Sequence, residues 1–416
     1  MLRLIKSKYI IILITLISTS LFAENFNFLT PLDISSAPGD SSQITADNSG
    51  RYVFAIWREV GTNIIQVARS ADFGQTWTTI VQGSAAVFPD PQIVTDSSGR
   101  YVFAIWIDVS GDIKVARSAD FGQTWTTIVP NLGTGFFSQI VTDSSGRYVF
   151  AIWTDGISNI MQVARSADFG QTWATIVSNL GQGGFPQIVT DNSGRYAFAI
   201  WRDNSSDIQV ARSANFGQTW SLPTDLGPSG VTAFPQIVTD SSGRYVFAIW
   251  RDNNDDIKVA RSANFGQTWI AIVTNFGQGF FSQIVTDNSG KFVFAIWQDS
   301  SNDIQVARSS DFGQTWIAIV TNLGIGFRPQ IVTDRSGRYV FAIWNDGGAN
   351  IQTARSDDFG QTWTTIVPNL GPGNLPQIVA DRSGRYVFPI WGNTEIYTSQ
   401  GLRSFFPITG FNISRD

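Results

Sequence analysis

One octapeptide recurs seven times at almost constant spacing, and nothing else in the chain constrains its fold as strongly. The first copy is Ser70-Ala71-Asp72-Phe73-Gly74-Gln75-Thr76-Trp77. The closing tryptophans are Trp77, Trp125, Trp173, Trp220, Trp269, Trp316 and Trp363, spaced 47 to 49 residues apart. A fixed period in this range is the signature of a repeat architecture, in which one supersecondary unit is stacked or arrayed many times. It also narrows the chemistry. Catalysis needs a few unique residues at one place, and copies supply few unique residues.

A second element recurs eight times: Gln-Ile-Val-Thr-Asp-x-Ser-Gly-Arg-Tyr-Val-Phe-Ala-Ile-Trp, with variants, its glutamines at Gln43, Gln92, Gln139, Gln187, Gln236, Gln283, Gln330 and Gln377. Each full unit parses into four short strands. In residues 92–132 these are Gln92–Thr95, Arg100–Trp106, Ile113–Arg117 and Trp125–Val129. Gly99 supplies the positive φ of a tight hairpin turn after the first strand. The second strand is apolar on both faces: Tyr101, Phe103 and Ile105 on one, Val102, Ala104 and Trp106 on the other. A half-solvated antiparallel sheet would alternate polar and apolar residues. Sheets arranged radially, each between two neighbours, cover both faces. The expected fold is therefore all-β: an eight-bladed β-propeller of four-stranded antiparallel blades, one domain over residues 24–416.

The eighth unit lacks the octapeptide. Glu395–Ser399 reads as its third strand, and Phe26–Ser35 as a fourth strand returned from the N-terminus to lock the ring. Phe405–Phe411 is the alternative.

Composition sets further limits. Histidine and cysteine are absent, so no imidazole base or ligand, no thiol nucleophile and no disulfide is available. The first 23 residues carry Arg3, Lys6 and Lys8 and no acid, followed by the apolar run Tyr9–Phe22. That is the pattern of a signal peptide ending at Ala23. The expected protein is exported (secreted, periplasmic or at the cell surface) and not membrane-inserted once the signal is removed. Without those three bases, 25 Lys and Arg face 33 Asp and Glu, net −8. Nucleic acid demands a basic face, so it is excluded as an expected partner. A monomer is expected.

Ser-x-Asp-x-Gly-x-x-Trp is the Asp-box pattern, or BNR repeat, and residues 43–391 resemble the sialidase-type propeller family. The mechanics of the box are structural. Its carboxylate caps amides of its own turn, glycine takes a conformation that other residues resist, and tryptophan packs between sheets. Asp72, Asp120, Asp168, Asp311 and Asp358 fill this role, with Asn215 and Asn264 in the fourth and fifth copies. An amide makes the same turn bonds, whereas a catalytic or metal-binding carboxylate would not survive the exchange.

The resemblance implies a carboxylate-binding arginine triad, a tyrosine nucleophile paired with glutamate, an aspartate acid/base and an Arg-Ile-Pro stretch. The stretch is missing, and the arginines fall mostly into two repeated sets, represented by Arg100 and Arg117. Both are expected at the box end of the blades, paired with turn acids such as Asp96 and Asp143. The weak catalytic candidates are Glu395 and Tyr397. The copies diverge at the opposite end, in the loops joining second to third strands. Ligand-binding candidates there and in the linkers are Arg58, Arg202, Asp203, Arg251, Asp252, Asp256, Asp303 and Arg328. Acids four apart, such as Asp252 and Asp256, could hold Ca²⁺ or act as an acid/base pair; otherwise no cofactor or metal is expected. Linker aromatics Phe88, Phe137, Phe185, Phe234, Phe281 and Phe327 are expected to close the top of the core.

The expected function is non-catalytic binding of a glycan or protein through the variable face. An exo-α-sialidase or related glycosidase is the first alternative, and a purely architectural surface protein the second.

Overall fold

The computed structural model describes residues 22–85, 91–128, 131–177, 180–230, 234–272, 276–319, 322–366, 369–392 and 394–407. Among these no helix occurs. Seven antiparallel sheets have four strands each in simple chain order, and an eighth sheet contains both termini of the described chain. The third blade is representative, with strands Gly135–Thr142, Val149–Asp155, Met161–Ser166 and Ala174–Val177.

The core is divided into eight apolar clusters, each shared by two adjacent blades. Phe54, Ile56 and Val67 of the first blade meet Ile93, Val102 and Trp106 of the second. The last cluster joins Ile390 and Ile396 of the eighth blade to Ala55 and Trp57 of the first, so the circle closes. Second strands are buried on both faces: Val102 through Ile107 are each at most 3% exposed. Closely packed aromatic and β-branched side chains from two sheets make each interface a core in its own right.

The turn after each first strand follows one plan. In the second blade Asp96 Oδ1 accepts the Tyr101 amide at 2.9 Å, and Oδ2 accepts the Ser98 hydroxyl at 2.6 Å. Gly99 has φ +76°, and a Cβ there would lie 2.8 Å from Tyr52 Cβ of the preceding blade. Only glycine meets both conditions. The next residue of each turn, from Asn48 through Ser97 to Arg382, donates its amide to the carbonyl of the same position in the following blade, and Arg382 donates to Asn48. Eight such bonds of 3.0–3.1 Å form an unbroken ring around the axis.

The octapeptide closes the third-to-fourth strand turn of the first seven blades. Asp120 Oδ1 accepts the amides of Thr124 and Gln123 at 2.9 and 3.1 Å, and Oδ2 accepts the Thr124 hydroxyl at 2.6 Å. Ser118 Oγ accepts the Gly122 amide at 2.9 Å, and the indole of Trp125 donates to the Gly122 carbonyl. Phe121 has φ +61° and stacks on Tyr52 of the preceding blade at 4.6 Å. Asn215 Oδ1 still accepts the Thr219 amide at 3.0 Å, while its Nδ2 donates to the Thr219 hydroxyl.

The ring is closed by the N-terminal segment, as the first of the two expectations had it, but only by the C-terminal part of Phe26–Ser35. Leu32–Asp33 pairs with Ile396–Thr398 and forms the fourth strand of the eighth blade. The C-terminal strand Gly401–Pro407 does not take that place. It pairs along its whole length with Phe22–Phe28 and touches the second strand of the blade at Tyr386 and Val387. Phe22–Phe28 starts two residues before the expected signal cut, and residues 408–411 of the alternative strand lie outside the described residues.

Candidate functional site: the mouth of the axial channel

The two ends of the channel differ chemically. At the octapeptide end lies a polar cavity of about 540 Å³, lined by turn residues including Asn48, Ser97, Asp334, Arg335 and Arg382. Its backbone amides and carbonyls are consumed by the ring of hydrogen bonds. At the opposite end the first strands enter the channel through a bulge. In the third blade Phe136 pairs with Thr154 and Gln139 with Ile152, so Phe137 and Ser138 stand opposite one residue. The same shift occurs at Asp40/Gln43, Gly184/Gln187, Phe280/Gln283, Phe327/Gln330 and Asn374/Gln377.

The first bulged residue takes left-handed backbone, where glycine is the unstrained choice. Here it is Ser41, Phe137, Phe185, Phe281, Arg328 and Leu375, with φ between +51° and +56°. A non-glycine residue in this region costs roughly 1–2 kcal/mol. The bulge re-aims these side chains around the channel mouth. Phe137 and Phe185 have ring centroids 4.5 Å apart, and Phe185 meets Phe234 edge-to-face at 4.9 Å. Phe234 and Phe281 line two adjoining pockets. One, of about 230 Å³, also includes Arg251, Phe280 and Ser282. The other, of about 190 Å³, adds Arg328, Leu375 and the glutamines of four blades. The guanidinium of Arg328 lies 5.4 Å from the Phe281 ring centroid, and that of Arg251 4.7 Å from Phe280.

These rings do not close the core. Phe137, Phe234 and Phe281 are 41%, 52% and 43% exposed. Phe327 is exposed as well, and Phe88 lies outside the described residues. Capping of the core falls to Leu180, Phe276, Leu323 and Leu370, each buried. Leu375 completes the arc and escaped the sequence reading, because its role follows from a backbone dihedral.

The charged candidates otherwise bond within their own blades. Arg58 forms a two-bonded ion pair with Asp40, at 3.0 and 2.6 Å. Arg202 donates to the Ser206 hydroxyl at 2.6 Å, and Arg251 pairs with Asp255 at 3.0 Å. Asp203 accepts the amides of Ser205 and Asp207 and the Gln209 side chain. Asp252 likewise accepts the amides of Asn254 and Asp256, and Lys258 bridges Asp252 and Asp256 at 3.2 and 3.3 Å. The Asp303 amide donates to Asp299 Oδ1. The acids four apart thus fold their first carboxylate onto loop amides instead of facing each other across a gap. Among the described residues no three acids are grouped so that they could hold a metal ion.

One sequence expectation about the octapeptide end needs correction. Arg100 and Arg117 do not pair with Asp96 and Asp143. Arg100 donates Nε to the Ala119 carbonyl and lies over Tyr101, and Arg117 donates to the Phe169 carbonyl of the next blade. The turn acids are already occupied by their own amides and hydroxyls. Glu395 and Tyr397 do meet: the phenol donates to Glu395 Oε2 at 2.7 Å. That bond, with lesser contributions from burial and the charges of Glu395 and Asp33, holds the phenol above its usual pKa and so protonated. Tyr397 is on a third strand, stacked with Trp391.

The sequence matches no protein-family model and no curated protein. Among solved structures, a prolyl endopeptidase aligns with a TM-score of 0.55 at 10% identity, over 85% of this chain and 54% of that one. Prolyl oligopeptidase B from Galerina marginata, bound to a 35mer hydrolysis and macrocyclization substrate, gives 0.52 at 10% identity, over 84% and 54%. YCF48 bound to D1 peptide gives 0.48 at 14% identity, over 90% and 96%. The chain spans about half the length of the two peptidases. At these identities the likeness is one of fold.

Proposed function

We propose that this propeller is a non-catalytic binding protein of the Asp-box type, exported by its N-terminal segment, which holds a glycan or protein ligand at the aromatic mouth of its channel. One observation carries the reading: phenylalanines gather exposed at the channel mouth, and two of them, Phe137 and Phe281, stand there on strained, left-handed backbone. Strain retained at several equivalent positions points to use, because the surrounding fold must over-determine it. Exposed contiguous apolar surface is itself a mark of binding sites. Arg251 and Arg328 flank the arc, and Arg58, Arg202, Asp203, Asp252, Asp256 and Asp303 belong to the neighbouring loops.

The test uses the repeat as its own control. The first blade carries Ser41 at the bulge, with the same left-handed φ as its counterparts. In Phe234→Ser/Phe281→Ser the second change therefore installs at its bulge a residue the architecture already accepts, and the first removes the adjoining exposed ring. A random 12-residue peptide display library and a glycan array are probed with the wild-type chain and the double variant. Selected ligands bind the double variant at least tenfold more weakly. Ligands that bind both proteins alike overturn the proposal.

The glycosidase alternative draws on the Tyr397–Glu395 contact. That contact is one a nucleophile and its base would make, but the chain lacks the Arg-Ile-Pro stretch that the resemblance implies. Fluorogenic sialoside hydrolysis by the wild-type chain, abolished in Tyr397→Phe, would reverse this preference.

A further inference from the structure

Charge is distributed unevenly around the aromatic mouth. Each of the eight loops joining second to third strands carries at least one carboxylate, from Glu59 in the first blade to Glu395 in the last, and the fifth holds Asp252, Asp255 and Asp256. The cations there are mostly committed. Lys114 and Lys258 each lie between two aspartates, and Arg58 and Arg251 are tied to Asp40 and Asp255. The carboxylates still outnumber them. Asp207 is raised above its ordinary pKa by burial first and then by the charges of Asp225 and Asp203, the local sign of that excess. Inside this acidic rim stands the apolar arc from Phe137 to Leu375. Beneath it, Ser282 is 7% exposed and lines both pockets.

An apolar centre within an anionic rim is complementary to a segment that carries apolar anchors between cationic side chains. Exposed carboxylates steer and select such a partner, and the anchors supply the affinity. A single pocket of 190–230 Å³ accommodates one large apolar side chain, and the two adjoin through shared Phe234 and Phe281. Two anchors a few residues apart on an extended chain therefore fit better than one bulky group. Arg328 runs against the trend, but it lies over the Phe281 ring and is one cation against the whole rim.

Resting on the reading of the mouth as a binding site, we infer that its partner is a basic polypeptide segment whose large apolar side chains seat against Phe234 and Phe281.

Three labelled 12-residue peptides test this, sharing four leucines at fixed positions and filled out with lysine, glutamate or serine. Binding is followed by fluorescence anisotropy at 20 mM and 300 mM salt. The lysine peptide binds at least tenfold tighter than the glutamate peptide at low salt, and the difference shrinks at high salt, as screening of exposed charges requires. Phe234→Ser/Phe281→Ser weakens the lysine peptide at least tenfold with an unchanged melting temperature. Should that variant fail to fold, Asp255→Asn serves in its place. Asp255 has φ +66°, which asparagine tolerates, and removal of its charge weakens the lysine peptide about threefold. Equal or tighter binding of the glutamate peptide overturns the inference, as does binding of the lysine peptide that ignores both variants. A glycan whose binding is lost in the serine variant, beside peptides that do not discriminate by charge, removes the basic partner and leaves the binding mouth intact. If no ligand of any kind responds to the serine variant, both proposals fall.

Discussion

At the residue scale the octapeptide aspartates are fasteners with a measurable acid signature. Partial burial pushes the Asp120 carboxyl up, but hydrogen bonds from the Thr124 hydroxyl and amide, Ser118 and Gln123 outweigh it and hold the group below the ordinary 3.8. Asp72, Asp168, Asp311 and Asp358 behave alike. A depressed folded-state pKa contributes stability that is present above the unfolded value and is lost as pH falls through the folded one. Acid unfolding should accordingly set in below about pH 4, where these five carboxylates take up protons. Asp191, raised by burial, works in the opposite sense. Asp120→Asn copies the fourth and fifth boxes. It should change stability by less than about 1 kcal/mol at pH 7, whereas Asp120→Ala strips several amides of their acceptor and should cost about 2 kcal/mol. Urea midpoints for the two variants at pH 7 and pH 4 check the pair. Trp106→Ala removes a ring from a fully packed interface and should cost about 3–5 kcal/mol by the same measurement.

The element that matters most to stability is the returning strand. Leu32–Asp33 is short, but its pairing with Ile396–Thr398 is backed by Ile34, whose amide bonds the Ile396 carbonyl. Phe26, 5% exposed, packs into the cluster between the seventh and eighth blades. Deletion of residues 24–36 removes both, leaving the third strand of the eighth blade as an uncovered edge. The deletion variant should melt well below the parent chain and aggregate, as exposed strand edges do. Equal melting temperatures by calorimetry would refute that assignment. The bulge is the second decisive element. Replacing Phe137 by glycine relieves left-handed strain while removing an exposed ring, so the chain should become no less stable, and any ligand of the arc should bind more weakly.

For the whole molecule, closure converts eight similar sheets into one cooperative body. No blade has a free face, since each apolar cluster is shared with a neighbour, and the amide ring ties every blade to the next. Thermal unfolding should be a single transition in spite of the repeats, with calorimetric and van't Hoff enthalpies in agreement. Two separated transitions would show that groups of blades melt independently.

The sequence by itself determined the strand plan, the blade number and the nature of the octapeptide. Those properties live in local patterns: apolar residues on both faces of the second strand, glycine where a turn needs positive φ, and an Asp–Asn exchange that only turn bonding permits. The pairing of Glu395 with Tyr397 was also legible, because alternate residues share a face of a strand. The channel mouth was not. Phe137 and Phe281 read as ordinary linker aromatics, and only their paired register with the second strand reveals a bulge that turns them outward. The fate of each charged side chain was likewise decided in three dimensions. Arg100 has carboxylates close in sequence, yet it is satisfied by a carbonyl some twenty residues away, because the turn amides reach those carboxylates first.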